Sequence, residues 1–230
     1  MDFNTWEPVY ERILADMGYD RVDDERARDV YAGLLRASEA DTFGDGLDFT
    51  GERVAIAGAA PSLEDELATA RAADTVVAAS SAGQRLLANG IAVDCLVTDL
   101  DGEPDTAVRL TNYETPVAIH AHGDNAIAIR EYVPRCRLDS VIPTTQAAPR
   151  HPVRNFGGFT DGDRAAFLAD HFGASELVFP GWAFDDPTVG PTKRRKLRWA
   201  ERLLHWLERR RGDRFGVLDG RRDGIDPIDP

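Results

Sequence analysis

RVAIAGAAPSLEDELATARAADTVVAAS, residues 53–80, reads as a β-branched run, a small-residue turn, a helical segment and a second β-branched run. The same alternation continues to residue 182. RVAIAG, TVVAAS, CLVTDL, PVAIHAH, DSVIPTT and ELVFPGW are six strand candidates, and SLEDELATARAA, AGQRLLANG, DTAVRLTN, NAIAIREY and DGDRAAFLADHFG lie between them as segments able to cover a sheet face. Strands alternating with helices predict an α/β fold, Rossmann-like, with a largely parallel sheet flanked by helices. Ser62 with Asp65 after it suits a helix N-cap with an acidic first turn, and Gly90 suits the end of the next helix.

Outward from this block the pattern changes. Trp6, Val9, Tyr10, Ile13 and Leu14 recur at helical spacing, as do Val30, Tyr31, Leu34 and Leu35, so residues 1–50 read as an N-terminal helical segment. The glycine-rich GDGLDFTGE marks the break, and residues 51–211 form the expected Rossmann-like domain. A last helix, about 193–211, places Leu197, Ala200, Leu203, Leu204 and Leu207 on one stripe, and residues 212–230 read as a frayed acidic tail.

The 230 residues are enough to bury roughly 70% of the unfolded surface, which suits one sizeable domain with an appended segment. The net charge is −13, and of the 27 basic residues only Lys193 and Lys196 are lysines. Such self-repulsion is screened at about 1 M salt, where the Debye length is about 3 Å, so the composition predicts a salt-rich, haloarchaeal-type cytoplasm. It disfavours nucleic acid and anionic membranes as partners. No apolar run reaches the roughly 18–20 residues of a membrane helix, and the N-terminus lacks a signal-peptide pattern; the expected location is cytoplasmic. Cys95 and Cys136 have neither metal-ligand nor disulfide spacing and are expected to be inert.

The polar clusters gather at the carboxyl ends of the strand candidates, where ligands of open α/β sheets bind. Gly58, Pro61 and Ser62 belong to a turn whose helix N-terminus can meet a phosphate, although it lacks both the dinucleotide fingerprint and the P-loop lysine; a tight βα turn explains it as well. Asp99 and Asp101 follow an apolar strand, and strand alternation would send both to one side, a hard-oxygen pair suited to Mg²⁺ carrying nucleotide phosphates. His120, His122, Asp124 and Asn125 share a short loop with Gly123; zinc lacks further ligands at a structural spacing, and Asp124 or Asn125 also suits a helix cap. Thr144 and Gln146 offer donors and acceptors for a heterocycle edge or a phosphate. In Asn155 to Arg164 the paired Gly157 and Gly158 between Phe156 and Phe159 would let backbone approach a flat ligand. There Thr160 can cap a helix, and Asp161 or Asp163 can join a metal shell. Lys193 and Lys196 could neutralise a triphosphate or face solvent.

Taken in order, GAAPSL, VTDLDG, HAHGDN, TTQ, NFGGFTDGDRAA, a GW-F segment and a K-x-x-K-L helix resemble the archaeal 6-hydroxymethyl-7,8-dihydropterin pyrophosphokinase family, distantly similar to thiamin pyrophosphokinases, over residues 53–207. The chain departs from the family pattern at three places: Ala60 for a glycine, Ser80-Ser81 for an aspartate-glycine, and Ala183 for an aspartate. The resemblance implies ATP as cosubstrate, Mg²⁺ as cofactor, and a place in folate or methanopterin synthesis. It also implies attack by the pterin hydroxymethyl oxygen on the β-phosphorus of ATP. In that reading Asp99 and Asp101 hold Mg²⁺, and Asp161 and Asp163 complete the shell or orient the hydroxymethyl group. Asp124 is an extra ligand or base, and Asn155 to Thr160 bind the pterin with Phe156 or Phe159 stacked on it. Gly58, Pro61, Ser62, His122, Asn125, Thr144, Gln146, Lys193 and Lys196 would meet the nucleotide. A thiamin pyrophosphokinase-like enzyme, a metal-dependent D-x-D nucleotide-sugar glycosyltransferase and a non-catalytic nucleotide sensor or adaptor remain as rivals, and a homo-oligomer stays open.

Overall fold

The computed structural model describes residues 1–38, 42 and 46–229. The Gly44-Asp45 start of the expected break lies outside them. All six strand candidates are strands: β1 (Arg53–Ala57), β2 (Thr75–Ala79), β3 (Cys95–Thr98), β4 (Val117–Ala121), β5 (Val141–Thr145) and β6 (Glu176–Val178). They pair in the order β5-β4-β3-β2-β1-β6, every pair parallel. β1 to β5 are buried at every position but Arg53, as expected of strands covered on both faces.

Helices α1 (Phe3–Met17) and α2 (Arg21–Ser38) precede the sheet, and α3 (Leu67–Arg71), α4 (Ala82–Ala88), α5 (Pro104–Asn112), α6 (Ala126–Tyr132), α7 (Asp161–His171) and α8 (Pro191–Arg211) follow β1 to β6 in turn. One core cluster joins α1, α7 and α8 to the sheet through Trp6, Ile13, Phe167 and Leu203. The other joins α2 to α6 through Tyr31, Leu86, Leu110 and Ile129. The N-terminal helical segment is therefore shared between the two faces: Trp6 and Ile13 are fully buried on one and Tyr31 on the other. Each such apolar side chain contributes roughly 1.5–3 kcal/mol or more on removal from water.

Two local expectations change and one holds. Residues 61–66 form a 3₁₀ turn whose N-cap, Ala60, contributes no side-chain bond, so Ser62 does not cap; Pro61 at the first position sets the entry instead. Gly90 does end α4, at φ +69°, with Ile91 N–H donating to Leu86 O. The C-terminal segment is packed rather than frayed: Phe215, Leu218, Ile225 and Ile228 enter the first core, and Arg222 pairs with the buried Glu208 beneath them. Its apolar residues are too sparse to show periodicity, yet each finds a gap beside α8.

Because every strand points the same way, all six carboxyl ends open on one edge. β5 connects to β6 by passing over the whole sheet through α7, which packs on β1, β2 and β3. The loop entering α7 is thereby laid over the ends of the central strands.

Candidate active site

A cleft of about 220 Å³ lies at that edge, lined by the ends of β1, β2, β3 and β6 together with α7, α8 and Tyr19. Three carboxylates meet in it. Asp99, Asp101 and Asp161 each offer an oxygen, and these oxygens lie within 4.8 Å of one another. Strand alternation is not what pairs the first two: β3 ends at Thr98, Leu100 takes φ +69°, and Asp101 N–H donates to Asp99 Oδ1 at 3.2 Å. The left-handed residue costs about 1–2 kcal/mol and turns both carboxylates inward.

The neighbours of the three acids differ. Burial opposes ionisation of Asp99, but His122 Nε2 at 3.0 Å and the Arg164 guanidinium outweigh it and hold this carboxyl far below the usual carboxylate range. Asp161 is pushed up to about 8 by burial and by the charges of Asp99 and Asp101, even though Arg164 Nη1 donates to its Oδ1 at 2.9 Å. Asp101 is raised for the same two reasons, burial and Asp99, with Lys193 opposing. Three hard oxygens whose mutual repulsion is only partly relieved by one arginine fit a small divalent cation.

Of the other residues expected here, His122, Phe159, Thr160, Lys193 and Lys196 line the cleft, as does Gly58. Lys196 Nζ stands 5.9 Å from the centre of the Phe159 ring. Ala60, Ser80 and Ala183, at the three departures from the family pattern, also line it, and Ser80 Oγ reaches Asp101 Oδ1 at 3.4 Å.

Several expected residues lie elsewhere. Asp163 is fully buried and accepts from the backbone of Phe159 and Thr160 and from the Thr160 hydroxyl, closing a capping box. Residues two apart at a helix start face different ways, so only Asp161 reaches the acids. Asp124 is exposed on its loop, away from the cleft lining. Asn125 braces loops, donating to Asp99 O at 2.9 Å and His120 O at 2.7 Å. Asn155 does the same for Gln146 O and Ala147 O. Phe156 packs against His171 and Phe172 in the core, so only Phe159 is available to a flat ligand. Gly157 and Gly158 do not admit a ligand: a Cβ at Gly158 would stand 2.6 Å from Arg164 Cα, so the bare backbone serves the fit of this loop onto α7. Pro61 and Ser62 are outside the lining, and the buried Ser62 hydroxyl has no hydrogen-bond partner among the described residues. Thr144 and Gln146 are also outside it. Thr144 bonds His120 Nδ1 at 3.0 Å beneath the site, and Gln146 Oε1 accepts from Arg164 Nη2 at 3.0 Å.

Sequence reasoning passed over Arg164, Trp182, Ser80 and Tyr19. Asp161-x-x-Arg164 is an i,i+3 pair at a helix start and was readable. Trp182, whose indole donates to Ile56 O at 2.8 Å, stood inside a quoted motif. Tyr19, next to the left-handed Gly18, carries no local signal.

An open parallel α/β sheet with an acidic, lysine-flanked cleft at its strand ends defines a Rossmann-like α/β protein with a candidate ligand site at the edge such sheets use. A family model described as 6-hydroxymethylpterin diphosphokinase MptE-like matches residues 34–188, and the chain belongs to that family. A 6-hydroxymethyl-7,8-dihydropterin pyrophosphokinase of Methanothermobacter thermautotrophicus is 38% identical over 226 residues, covering 91% of this chain and 96% of the relative. Proteins of the same name from Pyrococcus furiosus and Methanocaldococcus jannaschii are 36% and 31% identical, each over 90% of this chain and over 95% and 96% of the relative. No helix among the described residues is long and apolar enough to cross a membrane.

Proposed function

We propose that the chain is a 6-hydroxymethyl-7,8-dihydropterin pyrophosphokinase, transferring the terminal diphosphate of ATP to the pterin hydroxymethyl group and releasing AMP. The observation that carries this reading is the convergence of Asp99, Asp101 and Asp161 in a cleft also lined by Lys193 and Lys196, within a chain of this family. Asp99, Asp101 and Asp161 would hold Mg²⁺, which when bound neutralises charge on the phosphates. Phosphoryl-type transfer asks mainly for positioning and charge stabilisation. The forming bond joins the hydroxymethyl oxygen to the β-phosphorus, and the breaking bond is that from the β-phosphorus to the α–β bridging oxygen, which leaves with AMP. Lys193 and Lys196 meet the phosphates from α8. Phe159 and Tyr19, 6.4 Å apart between ring centres, offer flat faces at the mouth. Arg164 and His122 fix the two inner carboxylates, so the acids need not reorganise when substrate arrives.

The test incubates the protein in high salt with Mg-ATP and 6-hydroxymethyl-7,8-dihydropterin and follows both products by mass. AMP and diphosphorylated pterin should appear together, and Asp101→Asn should lose about 10²–10³ in turnover while staying folded. ATP left intact beside unmodified pterin, under conditions where the protein is folded, would remove the assignment.

A further inference from the structure

Asp24 sits on α2, before the segment matched by the family model, and no motif draws attention to it. Its side chain is buried, at 3% exposure, and accepts from three separate parts of the chain. Gly123 N–H donates to Oδ1 at 2.6 Å; the Tyr10 hydroxyl and Gln146 Nε2 donate to Oδ2 at 2.7 and 2.8 Å. Two of these lead directly to the acidic site. Gly123 adjoins His122, which bonds Asp99. Gln146 is 2% exposed, and its Oε1 receives Arg164 Nη2, whose other nitrogen, Nη1, donates to Asp161 and lies 3.9 Å from Asp99 Oδ2.

The chemistry of the middle link gives this chain a direction. A carboxylate only accepts, whereas an amide has one donating and one accepting end. Asp24 therefore selects the orientation of Gln146 that turns NH₂ toward residue 24 and the carbonyl oxygen toward the guanidinium. In the opposite orientation the Gln146 NH₂ would face an arginine that can only donate.

We propose that Asp24 is a positioning residue of the acidic site: by setting the polarity of the Gln146 amide and anchoring Gly123, it holds Arg164 and His122 against Asp161 and Asp99. The inference deepens the proposed function and rests on it only for its kinetic readout.

The test is a relocation of the carboxylate. Asp24→Asn puts a donor against the donor of Gln146; Gln146→Glu puts two buried carboxylates face to face. The double variant Asp24→Asn/Gln146→Glu keeps the net charge and restores a donor–acceptor match at both ends of the link. The carboxylate then at position 146 accepts from the amide at position 24 and from Arg164, while the Tyr10 hydroxyl can accept from that amide as readily as it donated before. Each single variant should lose about 10–100-fold in kcat and in affinity for Mn²⁺ alone, the range typical of partners that orient metal ligands. Hydrogen exchange should rise in segments 120–125 and 159–164. The double variant should return to within about threefold of the parent in all three. If Asp24 acted independently of Gln146 the two changes would add, leaving the double variant worse than either. That outcome, or parental kcat, Mn²⁺ affinity and exchange in Asp24→Asn, overturns the proposal. If the parent makes no diphosphorylated pterin the proposed function fails, while Mn²⁺ titration and exchange still judge Asp24; if it binds no Mn²⁺ either, exchange decides alone. Should Asp24→Asn not fold, Gln146→Met, which cuts the link but leaves Asp24 bonded to Tyr10 and Gly123, must raise exchange at 159–164, and parental exchange there overturns the inference.

Discussion

Asp161 is held in two opposing fields, the repulsion of Asp99 and Asp101 and the attraction of Arg164, and repulsion together with burial prevails. Its folded carboxyl, at about 8, lies above the ordinary value of 3.8 that applies to the unfolded chain. Between those values the metal-free folded state binds more protons than the unfolded one, so this contribution to stability is present below about pH 4 and is lost as pH rises through about 8. Relative to Asp161→Asn, the chelator-treated protein should therefore lose about 1 kcal/mol of unfolding free energy per pH unit between pH 6 and 8 in urea titrations. Parallel pH profiles for the two proteins would show that Asp161 does not carry the strain. His120, whose buried ring is pushed well below its ordinary value, is present in both proteins and cancels in the comparison. Among the acids, Asp99 and Asp101 could be read from their place after an apolar strand. The choice between Asp161 and Asp163 could not, because it depends on which side of α7 faces β3.

Gly158, in the loop entering α7, shows how backbone constrains a site without touching ligand. Gly158 holds φ +92° and lets the chain pass directly against Arg164. Gly158→Ala should cost about 2–4 kcal/mol, the sum of a left-handed alanine and an overlap that displaces Arg164. Chemical denaturation reads it, and a loss below about 0.5 kcal/mol would mean that the loop yields freely. β1 and β6 meet similarly, for a Cβ on Gly58 would stand 2.5 Å from Gly181 O. The glycines were legible as special positions, but their purpose was not: a sequence tells that backbone must come close to something and is silent on whether that is ligand or another strand. The strands themselves were legible in number and order, each quoted run exceeding its strand by one to four residues, because a strand buried on both faces reads as a short, nearly continuous apolar run.

At the scale of the whole molecule, an excess of negative charge stands against many arginine pairs, among them Arg21 with Glu7, Glu11 and Glu25. Exposed pairs are worth about 0–1 kcal/mol each and weaken in salt, while the net charge of −13 repels itself throughout. Screening should therefore stabilise: the melting temperature in about 2 M KCl should exceed that in about 0.1 M KCl by several degrees. A melting temperature that falls with KCl would assign the stability to the ion pairs instead.

By itself the sequence determined the six-strand alternation, the edge at which the polar clusters gather and the pair Asp99 and Asp101, because each is written in residues close together along the chain. Only the tertiary structure decided that Asp161 completes the acids, that Gln146 and Asn155 serve as braces, and that Asp24 and Tyr19 belong near the site at all. Those outcomes depend on α1 and α2 packing on opposite faces of the sheet and on α7 crossing over it, contacts between residues far apart along the chain that no local spacing can encode.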